Sequence, residues 1–232
     1  MNKQSFSVKY INLDRRPDRR EQLEAQLGGL NPDYIARISA IDGWEEKNID
    51  NRVMSSSHAA CWLSHQVVYT EHIREGTDYV LVLEDDAKFR KALTPSVVEA
   101  LIDVCERRGI DILQVGWIEM FYPRFSTRNV LDWVLASGAR RLIRIISPLS
   151  KFVVLGEFRA GSHAYLISLN GSKKLIGSNI PAMFAVDGYL SALAQNHYQD
   201  SGLRFARLSR SLVGQQTRSS NASTLDSNIA EY

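Results

Sequence analysis

Two spacings of apolar positions alternate along the chain. Ser7–Leu13, Tyr34–Ile41, Tyr79–Asp86 and Asp111–Gly116 are strand-length runs, each closed by polar or glycine residues. Between them, apolar positions recur every three or four residues, the helical period. Pro17 suits a first helical position, Leu23 and Leu27 share a face, and Gly28-Gly29 stops that helix. Ser57–Arg74 carries His58, Cys61, Trp62, His65, Val68, Tyr69 and His72 along one stripe, and Thr94-Pro95 opens a helix reaching Arg107. This order predicts an α/β fold, a mostly parallel sheet with helices on both faces.

From Trp117 to Arg159 the alternation lapses. Trp117, Phe121, Tyr122, Phe125 and Trp133 are interleaved with Arg124, Arg128, Arg140, Arg141 and Arg144. So long an irregular insertion, rich in aromatic residues, predicts a functional element rather than a disordered one. Gly161–Leu169 resumes as a strand, and Asn170 is expected to cap a short helix through Ile176. Asp187–Asn196 reads as helical, and Arg204–Leu212 as a last strand. Residues 1–213 are thus expected to form one domain, with 214–232, rich in Ser, Asn and Gln, as a flexible tail or lid.

Composition narrows the classes. At 232 residues, with 44% hydrophobic and 23% charged positions, the chain can bury a substantial core. A formal net charge of +2 gives no global case for nucleic-acid binding. Cys61 and Cys105 form no disulfide framework and read as reduced. The polar stretch Met1–Ser7 has no apolar signal region, and no later stretch approaches a membrane span. A cytoplasmic location is the expectation.

The sharpest chemistry lies where the Tyr79–Leu83 run meets Glu84-Asp85-Asp86. Three adjacent carboxylates cannot all be buried without compensating positive charge. A divalent metal bearing phosphate would supply it, since Mg²⁺ and Mn²⁺ favour carboxylate oxygens; a solvated acidic turn is the plain alternative. In mostly parallel sheets ligands sit beyond the carboxyl ends of the strands. Asn12–Asp14, Asp42-Gly43, Glu84–Asp86 and Gly116-Trp117 all fall at such exits, which favours a site.

Other candidates are less specific. His58, Cys61 and His65 share one helical stripe, but three ligands from one helix surround a zinc ion poorly, so core packing is the expectation. Ser64 and His65 could line the rim. In the basic cluster Arg15-Arg16 to Arg19-Arg20, a helix surface paired with Glu21 and Glu24 competes with a phosphate contact; Arg15 stands nearest the strand exit. Asp187 suits either a helix N-cap or a general base. Ala139–Lys151 could rest on an anionic membrane or pack on the domain.

Taken together, Tyr10-Ile11-Asn12-Leu13-Asp14-Arg15, Ala40-Ile41-Asp42-Gly43, Cys61-Trp62-Leu63-Ser64-His65 and Leu83-Glu84-Asp85-Asp86 resemble, in order, the blocks of glycosyltransferase family 25. These are lipooligosaccharide galactosyltransferases of Gram-negative bacteria, related to collagen galactosyltransferases. Gly161–Ser168, Val186-Asp187 and Val213-Gly214-Gln215 are similar to its later blocks. One block departs: Ser57-His58-Ala59-Ala60-Cys61 stands where the family usually reads Gly-Glu-Ile-Gly-Cys.

The resemblance implies a GT-A type, Rossmann-like nucleotide-sugar domain and inverting transfer of a hexose, most often from UDP-galactose. Glu84-Asp85-Asp86 would be the metal-binding Asp-x-Asp, with Asp86 on Mn²⁺ or Mg²⁺ and Glu84 on the metal or the ribose. Asp187 would be the general base, and Gln215 or His163 would complete the metal shell. Asn12, Leu13, Arg15, Asp42, Gly43, Ser64, His65, Glu84 and Asp85 would line the donor side. The acceptor would be a lipooligosaccharide, LPS or other glycan, with peripheral contact to the inner membrane. The competing readings are a metal-dependent phosphohydrolase and a non-catalytic nucleotide-binding module.

Overall fold

The computed structural model describes residues 6–44, 55–118, 153–177, 185–195 and 201–215. The strands are β1 (Phe6–Asn12), β2 (Ile35–Ser39), β3 (Tyr79–Glu84), β4 (Ala87–Phe89), β5 (Ile112–Gly116), β6 (Val153–Leu155), β7 (Ala164–Ser168), β8 (Phe205–Leu208) and β9 (Val213–Gln215). The α-helices are α1 (Pro17–Leu27), α2 (Ser56–Glu75), α3 (Pro95–Arg108), α4 (Leu169–Gly177) and α5 (Val186–Ala194).

The main sheet runs in the order β2-β1-β3-β7-β5-β8-β6. β1, β2, β3, β5 and β8 point one way; β7 and β6 run against them. The sheet is therefore mixed and mostly parallel. β7 is antiparallel because the excursion after β5 leaves and re-enters at the same edge, so the returning strand heads back between β3 and β5.

β3 shows why the sheet is central. Its first five residues are buried, alternate side chains facing opposite ways. Tyr79, Leu81 and Leu83 pack with Leu23 and Leu27 of α1 and Val98 and Ile102 of α3. Val80 and Val82 pack with Val68 and Tyr69 of α2, Leu175 of α4 and Leu190 of α5. Helices thus cover both faces, the expected Rossmann-like arrangement.

Several local expectations shift. β3 stops at Glu84, and Asp85-Asp86 turn the chain into β4, too short to show a period. The last expected strand is shorter, β8 at Phe205–Leu208, and β9 lies beyond Leu212. β9 pairs antiparallel with β4, Ala87 opposite Gln215 and Phe89 opposite Val213, so Gly214 and Gln215 of the expected tail lie in a strand. Asn170 caps nothing; it sits inside α4 and donates to Asp111 Oδ1 at 2.9 Å. The N-cap of α5 is Ala185, which places Asp187 inside its first turn. Of the 117–159 insertion, residues 119–152, including 139–151, lie outside the described residues, as do 216–232.

Candidate functional site at the strand exits

The order β2-β1-β3 makes β1 the turning point of the sheet, where successive crossovers leave in opposite directions. Such a crevice, beyond the strand ends, is the usual ligand seat of an open α/β sheet. Register then sets the neighbours. Ile11 pairs with Glu84, so the next residues, Asn12 and Asp85, meet just past the edge of the sheet. The entry to β7 brings Ser162 and His163 to the same rim.

The three acids are not equivalent. Asp85 accepts from Asn12 Nδ2 at 2.9 Å and from Arg19 Nη1 at 3.0 Å. Asn12 is itself consumed by the fold, donating also to the Arg16 carbonyl and accepting from Arg37 Nε. Asp85 therefore anchors α1 to β1 and β3. Arg19, one helical turn beyond Arg15, is the cation that the sequence did not single out. Arg19→Ala would leave a buried carboxylate with a neutral partner alone. It is expected to lower stability by about 1–3 kcal/mol in urea denaturation, and Asp85→Asn in that background should recover most of the loss.

Glu84 accepts from Ser162 Oγ and faces His65 Nε2 at 3.4 Å, close but not aligned for a hydrogen bond. Burial would raise its carboxyl, but the neighbouring His65, with the hydrogen bond from Ser162 and the nearby His163, outweighs burial and holds it below the ordinary carboxylate range. Behind it runs a buried polar chain: His65 Nδ1 meets Tyr165 Oη at 2.7 Å, and Tyr165 meets Tyr69 at 2.7 Å. Charge at Glu84 is thus backed by three polarisable groups in a dry interior.

Asp86 is the poorly compensated member. Gln215 Nε2 donates to its Oδ2 at 2.7 Å, while Oδ1 is buried with no hydrogen-bond partner. Burial, then the Glu84 charge, push its carboxyl up to about 7. Buried polar atoms are normally satisfied. Among the described residues, the side-chain atoms that are not are His65 Nε2, Gln66 Nε2, Asp86 Oδ1 and His163 Nδ1. All but the Gln66 amide belong to this rim. An orphaned carboxylate oxygen beside a second carboxylate suits a hard divalent cation, with Asp86 and Glu84 as its oxygen donors. Gln215 could join through Oε1 only by turning its amide, since its nitrogen now faces Asp86.

Asp187 also reaches this region. Its Oδ2 accepts from Gly161 N at 2.9 Å and its Oδ1 from Gly188 N at 2.8 Å, so it steadies the loop carrying Ser162. Burial, with the charges of Glu84, Asp187 and Asp86, pushes the Cys61 thiol well above its ordinary value. Cys61, His65 and Glu84 bring potential ligand atoms within 4.8 Å of one another. A thiol held protonated is a poor ligand, and His58 turns away to Ser55 at 2.9 Å. Trp62, Val68 and Tyr69 of the helical stripe pack in the core, while His65 reaches the rim with its Nε2 unsatisfied.

Other expected contacts are placed differently. Arg15 pairs with Asp42 and stacks over Trp44 at 5.2 Å, forming a separate, more exposed cluster at the β2 exit. Arg15 pulls the Asp42 carboxyl below its ordinary value against the opposing effect of burial. Ser64 donates to the Ala60 carbonyl and accepts from Ile41 N. Gly43 is fixed by packing, because a Cβ there would lie 2.6 Å from the Ser56 carbonyl oxygen. Leu13 offers its carbonyl to Arg16 N in the turn into α1. His163 Nε2 faces the Val213 carbonyl at 3.2 Å and ties β9 to the sheet, while its Nδ1 is the orphaned nitrogen of the rim.

The chain matches the family described as glycosyltransferase family 25 (LPS biosynthesis protein) over residues 7–190. A protein of Aedes aegypti named glycosyltransferase 25 family member is 26% identical over 209 residues, covering 82% of this chain and 31% of its own. Procollagen galactosyltransferase 2 of Homo sapiens is 26% identical over 210 residues, covering 81% and 30%. Inactive glycosyltransferase 25 family member 3 of Homo sapiens is 26% identical over 207 residues, covering 81% and 31%. The chain spans about a third of the length of these relatives. The family match runs from β1 into α5 and takes in the rim built by Asn12, Glu84, Asp85, Asp86 and Asp187, though not Gln215; on that ground the chain belongs to glycosyltransferase family 25.

Proposed function

We propose that this chain is a metal-dependent, inverting hexosyltransferase that uses a UDP-sugar, UDP-galactose first among them, and a lipooligosaccharide, LPS or other glycan acceptor. The observation that carries the reading is Asp86, a buried carboxylate with one unsatisfied oxygen at the turning point of the sheet. Galactose as the transferred sugar rests on the name of the procollagen galactosyltransferase relative. Cys61 and Cys105 are both free, which suits a reducing compartment such as the cytoplasm. Among the described residues, no helix is long and apolar enough to cross a membrane.

Mn²⁺ or Mg²⁺ bound at this rim would offset the charge that develops on the departing diphosphate. The residues do the rest. Asp86 and Glu84 would hold the ion, and Ser162 and His65 keep Glu84 ionised and oriented. Arg19 and Asn12 neutralise Asp85, leaving net negative charge for one cation. Asp187 would take the proton of the attacking acceptor hydroxyl from the face opposite UDP, as inversion requires.

With Mn²⁺ and UDP-galactose, UDP release is expected to rise when a lipooligosaccharide-derived acceptor is added, and mass spectrometry should show the acceptor heavier by one hexose. Hydrolysis of phosphate esters without sugar transfer would favour the phosphohydrolase instead. A non-catalytic module is favoured by the relative named inactive. Calorimetry showing no metal-dependent UDP affinity would establish it.

A further inference from the structure

Midway along β5, between Leu113 and Val115, stands a fully buried polar side chain, Gln114. Leu113 and Val115 pack on the α1 and α3 face. Alternation turns Gln114 to the other face, where Phe158 and Tyr165 belong to the apolar core. An amide buried in such a place costs free energy unless its polar atoms are paired. One loop does the pairing. Gln114 Oε1 accepts from Arg159 N at 2.8 Å, and its Nε2 donates to the carbonyls of Arg159 at 2.8 Å and Gly161 at 2.7 Å. The side chain thus supplies the rung of a sheet ladder to residues 159–161, which belong to no strand. The same loop touches both halves of the rim. Gly161 N donates to Asp187 Oδ2 at 2.9 Å, and Ser162 Oγ donates to Glu84 Oε1. The His163 carbonyl then accepts from Glu84 N at 3.0 Å.

We propose that Gln114 is a positioning residue: it fixes residues 159–161 and, through them, the placing of Asp187 against Glu84. Its effect on turnover rests on the transferase reading; the contacts themselves do not. Volume alone does not call for glutamine here, since methionine would fill a similar space without burying an amide. Methionine could not hold three backbone groups of a bent loop. The bend is tight: Gly161 has a φ of 97°, in the left-handed region that favours glycine, and a Cβ there would lie 3.0 Å from His163 Nδ1. Residues 161, 162 and 163 hold in turn Asp187, the Glu84 side chain and the Glu84 backbone. A shift of the loop therefore displaces the proposed base and a proposed metal ligand together. Misplacing reacting groups by about 1 Å can cost about a hundredfold in rate.

The test is Gln114→Met in the full chain, which keeps the size of the side chain and removes all three hydrogen bonds. With Mn²⁺, UDP-galactose and a lipooligosaccharide-derived acceptor, kcat should fall about thirtyfold and the donor KM should rise at least about threefold. Calorimetry with Mn²⁺ alone should show affinity weakened at least about threefold, since Ser162 no longer orients Glu84. Hydrogen exchange should quicken at the Arg159 and Gly161 amides while β5 and β7 stay protected. Should Gln114→Met not fold, Gly161→Ala displaces the same loop and should give the same kinetic and Mn²⁺ signature. Where both fold, their losses in the double variant should not add, because both act on one loop. A lowered melting temperature with kcat, donor KM and Mn²⁺ affinity unchanged would reduce Gln114 to core filling and overturn the proposal. So would additive losses in the double variant. A parent that transfers no sugar would sink the transferase reading, yet the Mn²⁺ and exchange measurements would still decide whether Gln114 sets the rim.

Discussion

Asp86→Asn is expected to raise the stability of the metal-free protein at pH 8 while cutting metal-dependent turnover by about two to three orders of magnitude. Both effects have one cause. Folding lifts the Asp86 carboxyl from an ordinary 3.8 to about 7, chiefly through burial and secondly through the Glu84 charge. A carboxyl raised on folding contributes stability that is fully present below its unfolded value and lost as pH rises through its folded one. Above about pH 7 the free protein therefore holds an unfavourable buried charge, which asparagine removes while still accepting the Gln215 hydrogen bond. The gain should be about 1–3 kcal/mol at pH 8 and should vanish toward pH 4. Thermal melts across pH, with and without Mn²⁺, would measure it. In the parent, Mn²⁺ should stabilise strongly at pH 8 and weakly at pH 5; in the variant, not at all. Full Mn²⁺-dependent turnover in Asp86→Asn would remove this residue from the metal site.

Asp187→Asn should lower kcat by about a hundredfold with little change in the KM for donor. The position has two possible roles, because its oxygens also accept backbone amides from Gly161 and Gly188. Asparagine can keep one of those contacts but cannot accept a proton. A base is thus distinguished by the pH profile, whose acidic limb should flatten in the variant. A purely positioning role would instead appear as a lowered melting temperature and a raised donor KM, through loss of the Ser162 contact to Glu84. That second outcome would require another base.

The acidic rim was legible in the sequence because β3 announces itself: carboxylates at the end of an apolar run are carried to the edge of the core, where they need a cation or water. The helices were equally plain, since Leu23 and Leu27, or Trp62, His65 and Tyr69, show their period over several turns. What the sequence hid depends on pairing between distant segments. Nothing local distinguishes Arg19 from Arg15, and only the packing of α1 across β1 and β3 decides which guanidinium meets Asp85. Ser162 reaches Glu84 because β7 enters at the rim against the direction of its neighbours, and no property of Ala164–Ser168 encodes that direction. Strands of three residues, such as β4 and β9, have no period to read. Gly43 and Ser64 fit the family pattern, and the fold also uses them, Gly43 for close packing against Ser56 and Ser64 for backbone hydrogen bonds.

Ala87–Phe89 waits for a partner that is translated more than a hundred residues later. As the polypeptide emerges from a ribosome, β1, β2 and β3 can associate early, but Asp86 gains its Gln215 contact only once residue 215 has cleared the exit tunnel. The order of synthesis thus postpones completion of the acidic corner until the parallel strands, β8 included, already exist.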